Sequence, residues 1–322
     1  MNIFVLGAGT FGTAIANALS VNTNNNVVLF SRSKLKVKEI NSSNTNKLCF
    51  PNKHLCKHLT ASTDKNQLMN ADIILIALPS KVIIQNLQYL KTYFKKDVLF
   101  VNLSKGIYQG GITIVESIKY ELKTESVVTL KGPSFAVEVM EHADTLLTLG
   151  YTTNDQYNKI NSIIKDTSLY IDCTKDIRGV EVLSVLKNIY ALVIGVVDAK
   201  YNSSNTRFMV LTKSFREFRV LLKSLGGSDD TLFLACGLGD LCLTSLNDLS
   251  RNRTLGLLIG KGFFNTDYRS NTIILEGLNA IEMFHDFVDE ELIKDLPIFN
   301  KLYSFFENND TELEFKFDEL IC

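Results

Sequence analysis

The chain begins MNIFVLGAGTFGTAIANAL: the apolar run Ile3 to Leu6 passes directly into Gly7, Gly9 and Gly12 and then into an alanine-rich helical pattern. No other feature restricts the fold so strongly. In G-x-G-x-x-G between a strand and a helix, the first glycine permits a tight turn and the second lets backbone approach a pyrophosphate. The third lets the helix pack closely on the strand, while the helix N-terminus offers free N–H groups to phosphate. A bare strand-to-helix turn with no ligand is the alternative reading.

The apolar pattern then alternates. NVVLFSRS at 26–33, ADIILIALPS at 71–80, DVLFVNLSKG at 97–106, VVTLKGPS at 127–134, TLLTLG at 145–150 and SLYIDCTKD at 168–176 read as strands. Several are continuous apolar runs of the kind that parallel sheets bury on both faces. Helical patterns such as VIIQNLQYLKTYF and GITIVESIKYELK lie between them, the order of a doubly wound sheet. Ligands of such sheets lie beyond the carboxyl ends of the strands, which nominates Pro79, Ser80, Ser104, Lys105 and Gly106. About twenty residues past the glycines, where an NAD enzyme often carries an acid for the ribose, the second strand ends in Arg32. That residue suits a 2′-phosphate and favours NADP(H); a solvated loop arginine reads the same way, so NAD(H) stays open.

From about residue 177 long helical runs take over, at 179–199, 206–225, 231–246, 272–288 and 294–307. The expected architecture is therefore an α/β N-terminal Rossmann-type doubly wound sheet over 1–178 plus an all-α C-terminal domain over 179–322. Within VEVLSVLKNIYALVIGVV, Lys187 lies amid aliphatic neighbours, where an unpaired ammonium costs several kcal/mol. Nothing three or four residues away neutralises it. The polar constellation downstream, GLGDLCLTSLNDLSRNR, offers Asp240 in an apolar setting, with Ser250, Arg251 and Asn252 close behind. A buried Lys187–Asp240 pair compensates both charges; it is either catalytic or a tie between two helices.

Composition excludes little else. With 34 basic and 35 acidic residues the net charge is −1, which gives no long-range attraction for nucleic acid or anionic lipid. The longest unbroken apolar run, Ile189 to Val197, is far short of the ~20 residues of a spanning helix. No membrane insertion is expected, and the N-terminus has no basic lead-in or cleavage site, so a cytoplasmic protein is expected. Six cysteines without a paired framework suit reduced thiols. Cys49, His54, Cys56 and His58 match no common zinc spacing, so no metal is expected.

GAGTFGTAIA, LSKGI, KGPSFAVEV, EVLSVLKNIYALVIGV, GLGDLCLTSLNDLSRNR and ILEG together resemble, in order and spacing, the successive signatures of bacterial NAD(P)-dependent glycerol-3-phosphate dehydrogenases across nearly the whole chain. The resemblance implies an enzyme that interconverts dihydroxyacetone phosphate and sn-glycerol 3-phosphate for phospholipid synthesis, with NADP(H) or NAD(H) as cofactor and a small-molecule substrate. The extent of helical apolar surface gives the expectation of a homodimer. It implies Lys187 as proton donor and acceptor, partnered by Asp240. Cofactor contacts fall on Gly7, Gly9, Thr10, Phe11, Gly12, Arg32, Lys105, Ala136, Arg251, Ile274 and Glu276. Substrate contacts fall on Lys105, Gly132, Ser134, Lys187, Asn188, Asp240, Ser250, Arg251 and Asn252. Where the family tends to read GFGDN after the catalytic helix this chain has YNSSN, keeping only Asn205, and the next helix is bulkier. Two other readings remain: a two-domain reductase of a 2-oxo or 3-hydroxy acid, and a dinucleotide-binding redox sensor.

Overall fold

The computed structural model describes residues 1–263, 276–308, 310 and 312–318. The chain divides into two units, Met1–Lys105 with Ile112–Ile177, and Gly106–Gly111 with Arg178–Cys322.

The first unit is an eight-stranded sheet with helices. Its elements in order are β1 (Asn2–Leu6), α1 (Thr10–Leu19), β2 (Asn26–Phe30), α2 (Lys34–Ser43), β3 (Thr60–Ser62), β4 (Ile73–Ile76), α3 (Ile83–Leu90), β5 (Leu99–Asn102), α4 (Ile114–Leu122), β6 (Val127–Lys131), α5 (Ala136–Met140), β7 (Thr145–Gly150), α6 (Asn154–Ile164) and β8 (Leu169–Thr174). The strand order is β8-β7-β6-β5-β4-β1-β2-β3, and only the β6–β7 pairing is antiparallel. Register places the ends of the central strands on one line: Leu6 lies opposite Phe30 and Ile76, Ile76 opposite Asn102, and Asn102 opposite Thr129. Every loop that follows these strands therefore emerges along one edge, the edge on which such sheets bind ligands.

The strands are shorter than their apolar runs. ADIILIALPS forms a strand only over Ile73–Ile76 and DVLFVNLSKG only over Leu99–Asn102. The remaining residues fold back along the edge, where Ser104 Oγ donates to Leu78 O at 2.6 Å and to Ile76 O at 3.2 Å. NSSNTN is partly helical: α2 runs through Ser43 and ends at Asn44, whose φ of 49° is the left-handed conformation that asparagine tolerates.

The second unit comprises α7 (Ile177–Tyr201), α8 (Ser204–Ser224), α9 (Asp240–Leu246), α10 (Arg251–Gly260), α11 (Glu276–His285) and α12 (Pro297–Glu307). Its α7 is long and apolar enough to cross a membrane, with mean hydropathy 1.9, but the whole apolar window is buried inside the protein. Val182, Leu186, Ile189, Val193 and Val197 are among the residues it gives to the core, to which α8, α9, α10, α11 and α12 also contribute. Residues 231–246 are not one helix: a 3-10 turn and a π turn precede α9, so Asp240 opens a helix instead of sitting inside one. This backbone path requires glycine at 237, where a Cβ would lie 2.2 Å from Leu232 O. The divergent YNSSN segment makes a tight turn, with Asn202 at φ 42° and the Ser203 side chain capping α8.

Residues 106–111 belong with the helical unit although the sequence reading assigns them to the first. Ile107 packs against the helical core, and Arg178 Nη2 donates to Gly111 O at 3.1 Å.

Candidate active site

The glycine turn is built as its spacing requires. Gly7 has φ +115°, and a Cβ there would lie 2.4 Å from Ala77 O. A Cβ on Gly12 would lie 2.1 Å from Gly7 O, so α1 can sit on β1 only with glycine at that place. Around Gly9 nothing lies within 4 Å of where a Cβ would be, which leaves room for a ligand atom. Gly9 is the N-cap of α1 and no side chain caps the helix. The N–H groups at Thr10 and beyond can therefore meet a diphosphate, and the first turn holds no acidic residue to repel one. This cradle fits a dinucleotide.

From the turn, a cleft of about 330 Å³ passes Ala8, Ser31, Arg32, Lys36 and Pro79. It shares Phe30, Ser31, Arg32, Asn86 and Leu90 with a neighbouring hollow of about 450 Å³ that Thr63, Lys65 and Tyr89 complete. Lys36 Nζ donates to Ala8 O at 3.0 Å, tying α2 to the glycine turn. Lys65 Nζ donates to the Tyr89 hydroxyl, which raises its pKa above the ordinary lysine value and keeps it cationic.

Farther along the edge lie the loops after β5 and β6. Lys105 follows the Ser104 turn and is half-buried. Gly132 has φ +153°, and a Cβ there would lie 2.9 Å from Leu146 O; Ser134 Oγ donates to Gly132 O at 3.0 Å, and Ala136 opens α5. Lys131, buried, donates to Asn102 O at 2.8 Å and so ties the two loops together.

In the second unit Lys187 and Asp240 are hydrogen-bonded and ion-paired, with side chains 4% and 1% exposed. Thr244 Oγ1 donates to the same Asp240 oxygen at 3.4 Å. Asp240 can face α7 because it is the first residue of α9, at the end of the π turn. Farther along α7, α10 packs on it backbone to backbone: a Cβ on Gly256 would lie 2.0 Å from Leu192 O, and one on Gly195 would lie 2.2 Å from Arg253 O. Ser250 caps α10, accepting from Arg253 N at 3.3 Å, and is buried like Asn252, while Arg251 is exposed. Asn252 Oδ1 accepts from Gly277 N at 3.1 Å, and a Cβ on that glycine would lie 3.2 Å from Asn188 O. A helix N-terminus bearing serine, arginine and asparagine is thereby fixed beside the residue that follows Lys187.

A family model described as NAD-dependent glycerol-3-phosphate dehydrogenase N-terminus matches residues 2–183, and its C-terminus counterpart matches 176–315. The chain belongs to the NAD-dependent glycerol-3-phosphate dehydrogenase family. The glycerol-3-phosphate dehydrogenase (NAD(P)+) of Methanothermobacter thermautotrophicus is 32% identical over 306 residues, covering 94% of this chain and 92% of its own. The enzyme of the same name from Clostridium botulinum is 30% identical over 312 residues, covering 96% and 94%. The crystal structure of the Coxiella burnetii glycerol-3-phosphate dehydrogenase superposes with a TM-score of 0.83 at 26% identity, over 96% of this chain and 95% of that one.

Of the residues that the family resemblance nominates, the structure groups Gly7, Gly9, Thr10, Phe11, Gly12, Arg32, Lys105, Gly132, Ser134 and Ala136 along one sheet edge. It groups Lys187, Asn188, Asp240, Ser250 and Asn252 in the helical unit, with Arg251 on the exposed side of the same helix end. Ile274 and the side chain of Glu276 lie outside the described residues. Cys49 and Cys56 direct their thiols to different carbonyls, Ala8 O and Ser20 O. Lys36, Lys65, Asp198 and Arg253 were not nominated. The second arginine of SRNR and the lone acid in the apolar tail of α7 were the available signals for the last two.

Proposed function

We propose that this chain reduces dihydroxyacetone phosphate to sn-glycerol 3-phosphate reversibly, with NADPH or NADH, and that it supplies glycerophospholipid synthesis. The observation that carries the reading is the buried Lys187–Asp240 pair beside the α10 N-terminus. A buried charge pair stabilises a fold poorly compared with an apolar pair of the same volume, and a helix tie needs no neighbouring anion site.

A reduced nicotinamide, held by the glycine turn, would supply hydride to the C2 carbonyl carbon of the substrate. The Lys187 ammonium donates a hydrogen bond and then its proton to the carbonyl oxygen, where negative charge grows. Asp240 pairs with Lys187 and fixes Nζ. Positioned acid catalysis of this kind typically contributes about 10²–10⁴-fold. Solvent returns the proton to Lys187 after product leaves; the oxidation direction runs the same steps backwards. Ser250, Arg251 and Asn252 bind the substrate phosphate, the arginine through its forked donors. Asn188, Lys105, Gly132 and Ser134 complete the substrate contacts. Gly7, Gly9, Thr10, Phe11, Gly12, Arg32, Lys105, Ala136, Arg251, Ile274 and Glu276 bind the dinucleotide.

The chain is a homodimer in this reading, which sedimentation tests. Free cysteines at Cys49, Cys56, Cys173, Cys236 and Cys242 support a cytoplasmic location. The deciding experiment follows nicotinamide absorbance with dihydroxyacetone phosphate as substrate. Oxidation that requires the phosphorylated ketone supports the reading, and absence of oxidation with either cofactor overturns it.

A further inference from the structure

The cleft beyond β2 carries more charge than a dinucleotide diphosphate requires. Of its two adjoining hollows, Arg32 lines both, Lys36 one and Lys65 the other, and neither is lined by aspartate or glutamate. The nearest acid in sequence, Asp64, is engaged elsewhere, accepting from Asn66 N and Nδ2 at 3.0 Å. At the end of β2, where a carboxylate would accept from both ribose hydroxyls of NAD(H), Ser31 instead accepts from Ser33 N at 3.1 Å. Lys36 and Lys65 are not loose surface cations. The first is held by Ala8 O, and the second by the Tyr89 hydroxyl, with its Nζ also 5.5 Å from the centre of the Tyr93 ring.

Three like charges along adjoining hollows repel each other until an anion enters. A phosphate monoester carries about −1.5 to −2 charge near neutrality and three acceptor oxygens, matching that set. The geometry points to a site selective for a dinucleotide phosphorylated on its adenosine 2′-oxygen, with Lys65 and Lys36 acting beside Arg32 as the residues that make the chain prefer NADP(H) over NAD(H). This rests on the dehydrogenase reading only in that a dinucleotide occupies the glycine turn.

The test is calorimetric binding, without turnover, of NADPH and NADH, and of adenosine 2′,5′-bisphosphate against AMP. Wild-type protein is expected to bind each 2′-phosphorylated ligand at least about tenfold tighter than its partner, with steeper salt dependence. Lys65→Ala shrinks that ratio several-fold, Lys65→Arg restores most of it, and Lys65→Glu reverses it. Equal affinities in the wild type, or a ratio that Lys65→Ala and Lys65→Glu leave unmoved, overturn the inference. A protein that prefers NADH yet still reduces dihydroxyacetone phosphate overturns this inference alone; one that binds neither nucleotide overturns the dehydrogenase reading with it.

Discussion

Lys187 on α7 and Asp240 at the head of α9, 53 residues apart in the chain, meet as a hydrogen-bonded ion pair sealed from solvent on both sides. Lys187→Met keeps the length and most of the packing while removing the proton, so turnover falls by about 10²–10⁴ with dinucleotide affinity retained. Either single change leaves the other charge buried without this partner, and removing one partner of a buried pair costs about 3–5 kcal/mol. Lys187→Met and Asp240→Asn are therefore both expected to melt well below wild type in calorimetry, and the double variant Lys187→Met/Asp240→Asn above either. Turnover near wild type in Lys187→Met removes that residue from the chemistry.

The glycine turn separates folding from binding. Gly12→Ala places a methyl 2.1 Å from Gly7 O, which only a shift of α1 relieves, so its melting temperature drops. Gly9→Ala meets no protein atom within 4 Å. It keeps the wild-type melting temperature and loses dinucleotide affinity at least about tenfold, because the added methyl occupies the space a diphosphate approaches. Wild-type affinity in Gly9→Ala would place the dinucleotide elsewhere.

Glu217 gives the helical unit a pH signature. It is buried in α8, where its carboxylate accepts from Ile298 N at 2.7 Å and Phe299 N at 2.9 Å at the start of α12, and from the Tyr190 hydroxyl at 3.3 Å. Burial pushes its pKa up from 4.5 to about 7, against the lowering effect of those three donors. The folded protein thus keeps a proton that the unfolded chain releases. Stability from this group is full below about pH 4.5 and is lost as pH climbs towards 7, by on the order of 3 kcal/mol. Glu217→Gln removes the titration, so the difference in urea midpoint between wild type and variant changes from pH 5 to pH 7.5. A constant difference would mean Glu217 is ionised in the fold throughout.

The sequence carried the sheet clearly because parallel strands buried on both faces are written as unbroken apolar runs, as in Ile73–Ile76 and Leu99–Asn102. Strand ends were less legible. Leu78 and Leu103 look like strand residues but belong to turns whose hydrogen bonds to Ser104 and Asn102 depend on tertiary neighbours. Lys187 announced itself by being charged in an apolar helix, and Asp240 was the acid in an apolar stretch that could answer it. The cations of the cleft sent no such signal. Lys36 and Lys65 sit in polar segments where lysine is ordinary, and only folding brings them to the two hollows that Arg32 lines.

Arg253 shows how the N-terminus of α10 is held. Its guanidinium pairs with Asp198 near the end of α7, reaches Asp248 Oδ1 at 3.1 Å and donates to Ser245 O at 3.3 Å at the end of α9. Asp198 also takes Arg207 from α8 and is 5% exposed. Three helices are thereby fastened to the segment bearing Ser250, Arg251 and Asn252, which already rests on α7 through Gly195 and Gly256. A lysine has no planar fork to serve these partners together. Arg253→Lys and Asp198→Asn are each expected to raise KM for dihydroxyacetone phosphate roughly tenfold, equivalent to about 1.4 kcal/mol, with kcat and dinucleotide affinity changed far less. A fall in kcat without a change in KM would instead place Arg253 in the chemistry of Lys187, and unchanged kinetics with a lowered melting temperature would make it a packing residue alone.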